Sequence, residues 1–142
     1  MKYIILCRKC EYYKNKRKNI FCIIKYIYYL NKKNRLGRIS NLDIQTGKFG
    51  KNFTIYHKNI IINPNTIIGD NCKLHGNNCI GNDGKSEKSP IIGNNVDIGV
   101  GAIIIGDITI GDNIIIGANS LVNKSFKEEG ITIAGVPARR IK

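Results

Sequence analysis

Residues 91–117 read IIGNNVDIGVGAIIIGDITIGDNIIIG, and an apolar residue returns at every sixth position of this stretch. The same six-residue frame can be followed from residue 44 to residue 122, and 12 of its 14 positions are apolar. These positions are Ile44, Gly50, Tyr56, Ile62, Ile68, Leu74, Ile80, Ser86, Ile92, Ile98, Ile104, Ile110, Ile116 and Val122. A regular period of this kind is typical of repeat proteins and takes precedence over local propensities.

The length of the period and the residues within it predict the fold. Six residues fit neither the 3.6-residue helix nor the heptad, and the repeats are rich in Ile and Val, which favour strands. Glycine follows the frame position at 69, 81, 93, 99, 111 and 117, and asparagine recurs at 71, 95 and 113. Both residue types tolerate the positive φ of tight turns. Equivalent isoleucines then stack from coil to coil, so the sequence predicts an all-β solenoid, a parallel β-helix.

The charge of the 142-residue chain is concentrated at its N-terminus. The whole chain has a formal charge of +13, which invites nucleic-acid or membrane partners. Residues 1–40 hold 12 of the 23 Lys and Arg against the single acid Glu11, a net charge of +11. Residues 41–142 hold the other 11 bases against nine acids, a net charge of +2. We therefore predict a basic, aromatic-rich N-terminal segment over 1–40 and a solenoid domain over 41–142.

The N-terminal segment is predicted to be a short α-helical region. Ile20, Ile23, Ile24 and Ile27 recur at the spacing of one helical face, which Tyr28 continues. We expect this apolar face to pack on the rest of the protein, because most such stripes do. The alternative is a basic amphipathic helix that lies on an anionic membrane surface. We expect no nucleic-acid partner, since no groove-reading or single-strand motif accompanies the charge.

Two further expectations come from the apolar runs and the cysteines. The run Tyr3 to Cys7 is shorter than a secretory signal requires, and no run is long enough for a membrane-spanning helix. We expect a cytoplasmic protein, with the inner face of the membrane as an alternative. The five cysteines cannot all pair, and Cys7-x-x-Cys10 lacks a second ligand pair. Free thiols and no bound metal are therefore expected.

Several motifs resemble those of the hexapeptide-repeat acyltransferases with a left-handed β-helix. They are IGDN at 68–71, IGNN at 92–95, IGDN at 110–113 and AGVPAR at 134–139. The sequence IYH at 55–57, followed by IIINPN at 60–65, is similar to the serine acetyltransferase branch. More narrowly, it resembles the capsule and sugar O-acetyltransferases that share its catalytic domain. The resemblance covers residues 36–142. It implies left-handed coiling, an exception to the usual right-handed crossover, and acetyl-CoA as the donor. It also implies a homotrimer with active sites between neighbouring prisms.

The resemblance also implies which residues carry out the chemistry. Transfer of an acetyl group from a thioester to a hydroxyl needs a base, and the pKa of histidine suits this role. The resemblance assigns the base to His57, one of the two histidines of the chain. It places Asp43 where a carboxylate would orient the imidazole, although a simple turn or cap residue is an equal alternative. His75 is expected to contact the substrate or a subunit interface.

The predicted acceptor follows from three departures from serine acetyltransferases. Tyr56 stands where the family has an aspartate before the base, and Ser89 stands where it has a second histidine before Pro90. Ile60 replaces a glycine that follows the base, and the segment is one residue shorter. Since the family's charged pair is implicated in holding serine, we predict a sugar or polysaccharide hydroxyl as acceptor. His75, Tyr56 and Ser89 are the candidate substrate-binding residues. The alternatives are a serine O-acetyltransferase of cysteine biosynthesis and a non-catalytic scaffold with a basic membrane- or partner-binding arm.

The resemblance places the acetyl-CoA groove along the later coils. The pantetheine arm of acetyl-CoA would lie against small residues at the coil turns. The corresponding positions in this sequence are Val100, Ala102 and Ala118. Asn123 follows the last coil, and Lys124 and Arg139 would donate charge-assisted hydrogen bonds to the nucleotide phosphates. The segment Asn82–Ser89 interrupts the repeat and is predicted to be a surface loop near a site.

Overall fold

The computed structural model describes residues 2–16, 19–44 and 48–142. Two α-helices, α1 (Lys2–Asn15) and α2 (Ile20–Ser40), precede a series of short strands. The strands are β1 (Leu42–Ile44), β2 (Lys48–Phe49), β3 (Thr54–Ile55), β4 (Ile60–Ile62), β5 (Ile67–Ile68), β6 (Lys73–Leu74), β7 (Cys79–Gly81), β8 (Ile91–Ile92), β9 (Asp97–Ile98), β10 (Ile103–Ile105), β11 (Thr109–Ile110), β12 (Ile115–Ile116), β13 (Leu121–Val122), β14 (Thr132–Gly135) and β15 (Ala138–Arg140).

The strands form the three faces of a triangular solenoid. The first face contains β1, β4, β7, β10 and β13, and the second contains β2, β5, β8 and β11. The third face contains β3, β6, β9, β12, β14 and β15. The pairings are parallel except for β14 with β15, where the last strand turns back on its neighbour. Because consecutive strands belong to different faces, each coil visits all three faces before it stacks on the next, as the repeat predicts.

The repeated isoleucines form the core of the solenoid. On the first face Ile44, Ile62 and Ile80 lie in register and are essentially inaccessible to solvent. On the third face the same is true of Leu74, Ile98 and Ile116. The frame predicted from Ile62 onward is therefore confirmed except at Ser86, which lies in the exposed segment between β7 and β8. Burial of this kind is worth about 1.5–3 kcal/mol for each large aliphatic side chain.

The predicted frame is wrong in the first coil. Ile55, rather than Tyr56, pairs with Leu74 on the third face, and Tyr56 is 52% exposed. Similarly Phe49, rather than Gly50, pairs with Ile68. The reason is that Phe49 follows Ile44 by five positions and Ile62 follows Ile55 by seven, where the frame assumes six in both cases. A count in sixes slips by one position there, which moves Tyr56 from the core to the surface.

Asparagines at two corners hold successive coils in register. Asn52, Asn71, Asn95 and Asn113 all have positive φ, and each of the first three donates a side-chain hydrogen bond of 2.9 Å to the next. Asn41, Asn59 and Asn77 form a similar series at another corner. Asparagine suits both requirements, because it tolerates the left-handed conformation and carries both a donor and an acceptor.

Replacing Asn95 by alanine is expected to lower the free energy of unfolding by about 2 kcal/mol, measured by chemical denaturation. The substitution removes the hydrogen bonds to Asn71 and Asn113 and puts an alanine, which tolerates the left-handed conformation less well than asparagine, at a φ of 55°. Asn95→Gly is the matched control, because it loses the hydrogen bonds but adopts the turn without strain. A glycine variant no more stable than the alanine variant would contradict the contribution of the backbone conformation.

The helical pair (α1 and α2) covers the start of the solenoid. Tyr3, Cys7 and Cys10 of α1 are buried, and the Tyr3 hydroxyl donates to the carbonyl oxygens of Leu42 (3.1 Å) and Ile44 (3.3 Å). Burial raises the pKa of Tyr3 and that of Cys7 to about 12. Both side chains are therefore neutral near pH 7 and belong to the packed interior.

The isoleucine stripe of α2 does not pack on the rest of the chain, so that expectation is wrong. Its residues Ile20, Ile23, Ile24, Ile27 and Tyr28 are 36–62% exposed. The face that packs is the opposite one, which contains the buried Lys33 and Gly37. A Cβ at Gly37 would lie 2.7 Å from the carbonyl oxygen of Leu42, so glycine lets α2 approach the first coil on that side. Among the described residues no helix is long and apolar enough to cross a membrane.

Candidate active site

One edge of the solenoid contains the predicted base and two predicted groove residues. The pairings of the third face align Ile55, Leu74, Ile98 and Ile116 in successive coils. His57, Gly76, Val100 and Ala118 each lie two residues further along, at the corner between the third and first faces. The structure thus brings His57, Val100 and Ala118 onto one edge, which we call the His57 edge.

His57 is exposed at the start of this edge, beneath the helical pair. It lines a groove together with Tyr3, Leu36, Leu42 and Tyr56. This groove lies between α1, α2 and the first coil, and it leaves the imidazole accessible to a substrate. Accessibility is the first requirement for a side chain that must receive a proton from an acceptor hydroxyl.

Asp43 lies near this groove without a hydrogen bond to His57 in the part of the chain that the structure describes. It is an exposed residue of β1, where it pairs with Ile61, and it lines a neighbouring groove with Asn41 and Asn59. Its charge is felt by Tyr3, whose pKa it helps to raise after the larger effects of burial and of Cys7. The orienting role of Asp43 stays a prediction.

His75 has the carboxylate partner that the sequence suggested for His57. Its Nε2 lies 2.7 Å from Oδ1 of Asp97, and the Nζ of Lys73 lies 4.0 Å from the other carboxylate oxygen. The Tyr56 ring lies against the imidazole, with 5.0 Å between the ring centroids. A bond from Nε2–H to Asp97 leaves Nδ1 as an acceptor. This cluster occupies the outer surface of the third face, beside the His57 edge.

Asp97 and Lys73 are the functional candidates that the sequence analysis missed. Asp97 comes directly before the core residue Ile98, and Lys73 comes directly before the core residue Leu74. The two residues are paired between the neighbouring strands β6 and β9. The alternation of strand side chains places them on the outer surface, and His75 lies diagonally opposite Asp97. The six-residue repeat could have identified both residues, because the position before each inward-facing core residue faces outward.

Gly76 determines how closely the second coil approaches His57. A Cβ at Gly76 would lie 2.7 Å from the Cβ of His57, and the φ of Gly76 is 118°. Side chains essentially never approach so closely, and this φ is rarely adopted by residues other than glycine. Gly76 therefore makes room for the base and for its extra corner residue.

The three small residues predicted for the donor groove differ in accessibility. Val100 and Ala118 are exposed on the His57 edge, as a groove would require. Ala102 is 0% exposed and its carbonyl oxygen accepts a hydrogen bond from Asn78 at 3.3 Å. Its side chain is part of the core, because it comes just before Ile103 at the start of the first face. This burial argues against a side-chain contact with the donor, and the place of Ala102 in the groove stays a prediction.

Of the other predicted site residues, Ser89, Asn123 and Lys124 lie away from the His57 edge within one chain, and Arg139 lies at the end of the third face. Asn123 and Lys124 follow β13, at the corner where the first face ends, and the Lys124 ammonium lies 5.3 Å from the Phe126 ring centroid. Ser89 is buried before the second face, and its hydroxyl has no hydrogen-bond partner among the described residues. Arg139 is an exposed residue of β15, where it pairs with Ala134 at the far end of the third face.

The loop 82–89 leaves the solenoid between β7 and β8, as the interruption of the repeat predicts. Its residues from Asp83 to Lys88 are exposed, and Lys88 donates a 2.8 Å hydrogen bond to Asp107. Across residues 2–16, 19–44 and 48–142, no group of three or more His, Cys, Asp and Glu side chains is arranged to hold a metal ion.

Comparison with known proteins shows similarity to serine acetyltransferases. No protein-family model matches the chain. Serine acetyltransferase of Synechococcus elongatus is 33% identical over 107 residues, which cover 72% of this chain and 43% of the relative. The Staphylococcus aureus enzyme is 36% identical over 107 residues, covering 72% of this chain and 50% of the relative. The chain spans about half the length of the curated relatives it matches.

Solved structures of serine acetyltransferases have the same fold. A serine acetyltransferase in complex with cysteine superposes with a TM-score of 0.83 at 28% identity, covering 99% of this chain and 56% of the other. The Brucella abortus enzyme in complex with coenzyme A gives 0.81 at 30% identity, covering 97% of this chain and 54% of the other. The predicted left-handed β-helix with an N-terminal helical segment is confirmed. The chain is thus a homologue of the serine acetyltransferases, with the fold of the hexapeptide-repeat left-handed β-helix acyltransferases.

Proposed function

We propose that the chain is an acetyl-CoA-dependent O-acetyltransferase. The observation that carries the proposal is the accessible His57 at the head of an edge that continues through Val100 and Ala118. In this mechanism His57 takes the proton of an acceptor hydroxyl as the oxygen attacks the thioester carbonyl. The C–S bond then breaks, and His57 returns the proton to the departing thiolate of coenzyme A. The products are the acetyl ester and free coenzyme A.

The donor is proposed to lie along the His57 edge. Small side chains at Val100, Ala118 and the intervening glycine turns leave room for an extended pantetheine arm. Arg139, at the far end of the third face, supplies a cation for the nucleotide phosphates. The Brucella abortus homologue was solved in complex with coenzyme A, which supports an acetyl-CoA donor. We propose no metal in the reaction, since a base and a thioester are sufficient for it.

We propose L-serine as the acceptor. The similar proteins described above are serine acetyltransferases, and no comparison supports the sugar or polysaccharide acceptor expected from Tyr56 and Ser89. Serine is a zwitterion, and the outer surface beside His57 offers charges of both signs. Asp97 can accept from the ammonium, and Lys73 can donate to the carboxylate. His75 and the Tyr56 ring complete the surface against which serine would lie.

A sugar hydroxyl is the second candidate acceptor, favoured by one observation. Tyr56 presents a ring that is 52% exposed directly beside His57, where a sugar could stack on it. The two acceptors make opposite demands on Asp97 and Lys73. A neutral sugar needs neither charge, whereas serine needs both.

A homotrimer is proposed as the working assembly, in the cytoplasm. The outer surfaces of all three faces expose large isoleucines, among them Ile61 (54%), Ile91 (45%) and Ile115 (53%). Exposed apolar surface on this scale marks contacts with other chains. Because the exposed Asn123 and Lys124 lie on a corner other than the His57 edge, they can join the site only from a neighbouring chain. Ser89 is buried within its own chain and is not available to a neighbouring site.

The acceptor is tested by incubating the full chain with acetyl-CoA and either L-serine or a panel of glycans. We expect O-acetylserine by mass spectrometry and serine-dependent release of coenzyme A. Asp97→Asn should raise KM for serine about tenfold, because a charge-assisted contact is lost. Asp107→Asn is the matched control, since Asp107 also pairs with a lysine, Lys88, but lies on another face. Transfer to glycans without transfer to serine would favour the second candidate, and transfer to neither would contradict both.

A further inference from the structure

The outward side of α2 forms a continuous exposed surface, and only its C-terminal part borders α1, at a groove between the two helices. Positions separated by three and four residues bring its members onto one side of the helix. We call it the α2 outer face, and it consists of Ile20, Phe21, Ile24, Ile27, Tyr28, Lys32, Arg35, Arg38 and Ile39. Its first half is apolar and its second half is mainly basic.

The apolar half of the α2 outer face exposes several large side chains next to one another. Phe21 is 70% exposed, Ile20 62% and Ile24 57%, and these residues are neighbours on the helix. Contiguous apolar patches on soluble chains mark interaction sites rather than random exposure. This half of α2 is therefore expected to be covered by something apolar.

The basic half carries positive charge that the rest of the helical pair does not neutralise. α2 contains no acidic residue, and Glu11 is the one acid of residues 1–40. The ion pairs among the described residues all lie between positions 73 and 140. Lysines of the pair instead lie over tyrosine rings, such as Lys32 over Tyr28 (4.8 Å) and Lys9 over Tyr29 (4.9 Å). These contacts leave the positive charge in place.

A groove between α1 and α2 is lined by both apolar and basic side chains. Its walls are the apolar side chains of Ile5, Leu6, Leu36 and Ile39, and the cations Lys2, Lys32 and Arg35 stand around it. An apolar trough with three cations at its margin fits an acyl chain that ends in an anionic head group.

We propose that the helical pair binds the protein to an anionic lipid bilayer, with the α2 outer face lying in the headgroup region. Amphipathic helices with a basic polar part bind membranes in this orientation, through apolar burial and attraction to anionic lipids together. A second copy of the N-terminal segment is a poorer partner, because two copies of residues 1–40 with a charge of +11 each repel one another. A nucleic acid would neutralise the charge but would leave the isoleucines and Phe21 uncovered. This proposal does not depend on the identity of the acceptor.

The test is co-sedimentation of the full chain with vesicles of two compositions, pure phosphatidylcholine and phosphatidylcholine with phosphatidylglycerol. We expect binding to the anionic vesicles that falls as salt is added, because surface charge is screened. The double variant Lys32→Gln, Arg35→Gln should weaken binding by roughly 30-fold, from the usual contribution of two basic side chains near an anionic surface. Lys85→Gln, Lys127→Gln, which removes two exposed lysines of the solenoid, should leave binding unchanged.

The apolar contribution is tested by Ile24→Ser, Ile27→Ser, which should weaken binding on the order of tenfold or more. Ile141→Ser is its control, because Ile141 is 66% exposed at the other end of the molecule. Ile24, Ile27 and Ile141 are all exposed, so circular dichroism should show unchanged folding. Equal binding to neutral and anionic vesicles, or no binding to either, would overturn the proposal. A smaller oligomer in Ile24→Ser, Ile27→Ser, with vesicle binding intact, would identify a second copy as the partner instead.

Discussion

Replacement of His57 by alanine is expected to reduce kcat for acetyl transfer by about 10²–10⁴-fold, which is the usual contribution of a general base. The imidazole is exposed, so the substitution removes little packing and the thermal unfolding midpoint should be unchanged. The KM for acetyl-CoA should also be unchanged, because the donor is proposed to bind along Val100 and Ala118. Steady-state release of coenzyme A, followed with a thiol reagent, measures both constants.

The control for this prediction is His75→Gln. His75 is bonded to Asp97 and is proposed to contact the acceptor, so its replacement should raise KM for the acceptor more than it lowers kcat. Equal loss of kcat in both variants would mean that the two histidines act as one unit. Full activity in His57→Ala would contradict the proposed base, and it would favour His75 with its Asp97 partner as the base.

Replacement of Gly76 by alanine is expected to lower activity at least tenfold and the free energy of unfolding by about 2–4 kcal/mol. The new Cβ would lie 2.7 Å from the Cβ of His57, and the backbone would have to hold an alanine at a φ of 118°. One of the two coils must move, and the imidazole moves with it. Because positioning errors of about 1 Å can cost 10²-fold in rate, the activity should be more sensitive than the fold.

Gly84→Ala is the matched control for Gly76→Ala. Gly84 also has positive φ, 79°, but a Cβ there would meet nothing within 4 Å. It therefore separates backbone strain from the collision with His57. We expect Gly84→Ala to lower the free energy of unfolding by about 1 kcal/mol and to leave the activity unchanged. Similar activity in the two variants would show that the close approach of Gly76 does not position His57. Chemical denaturation and the coenzyme A release assay together distinguish these outcomes.

The solenoid could be predicted from the sequence because its determinants are local and repeated. Each coil needs inward-facing aliphatic residues and turns with positive φ, and Ile, Gly and Asn recur at those places. Because every coil repeats the same pattern, an irregular coil does not hide the period, and the frame can be followed on both sides of the loop 82–89. The prediction slipped only where a single coil departs from the others. Tyr56 is at the surface because the corner at His57 has one additional residue, which no count in sixes can detect.

The candidate site was predicted in part, and its gaps have a common cause. His57, Val100 and Ala118 were found and do lie on one edge. Asp97 was missed, although it is the partner of His75, and Ala102 was included although its side chain is in the core. Contacts between coils join residues 18–24 positions apart, as between Asn71 and Asn95, so they depend on the pairing of every intervening strand. Composition and motif spacing contain no direct measure of that pairing.

In the helical pair, too, some features could be predicted from the sequence and others depend on the tertiary structure. The sequence by itself determined that the pair is basic and that one stripe of α2 is apolar, because charge and helical periodicity can be read from adjacent residues. It also determined the repeated fold, since each coil contains its own inward-facing aliphatic residues and turn residues. Only the tertiary structure decided that Gly37 and Lys33 face the solenoid while the isoleucine stripe faces outward, and that His75 pairs with Asp97. Those outcomes depend on which surfaces meet in space, and that is decided by close approach and register across coils rather than by any single segment.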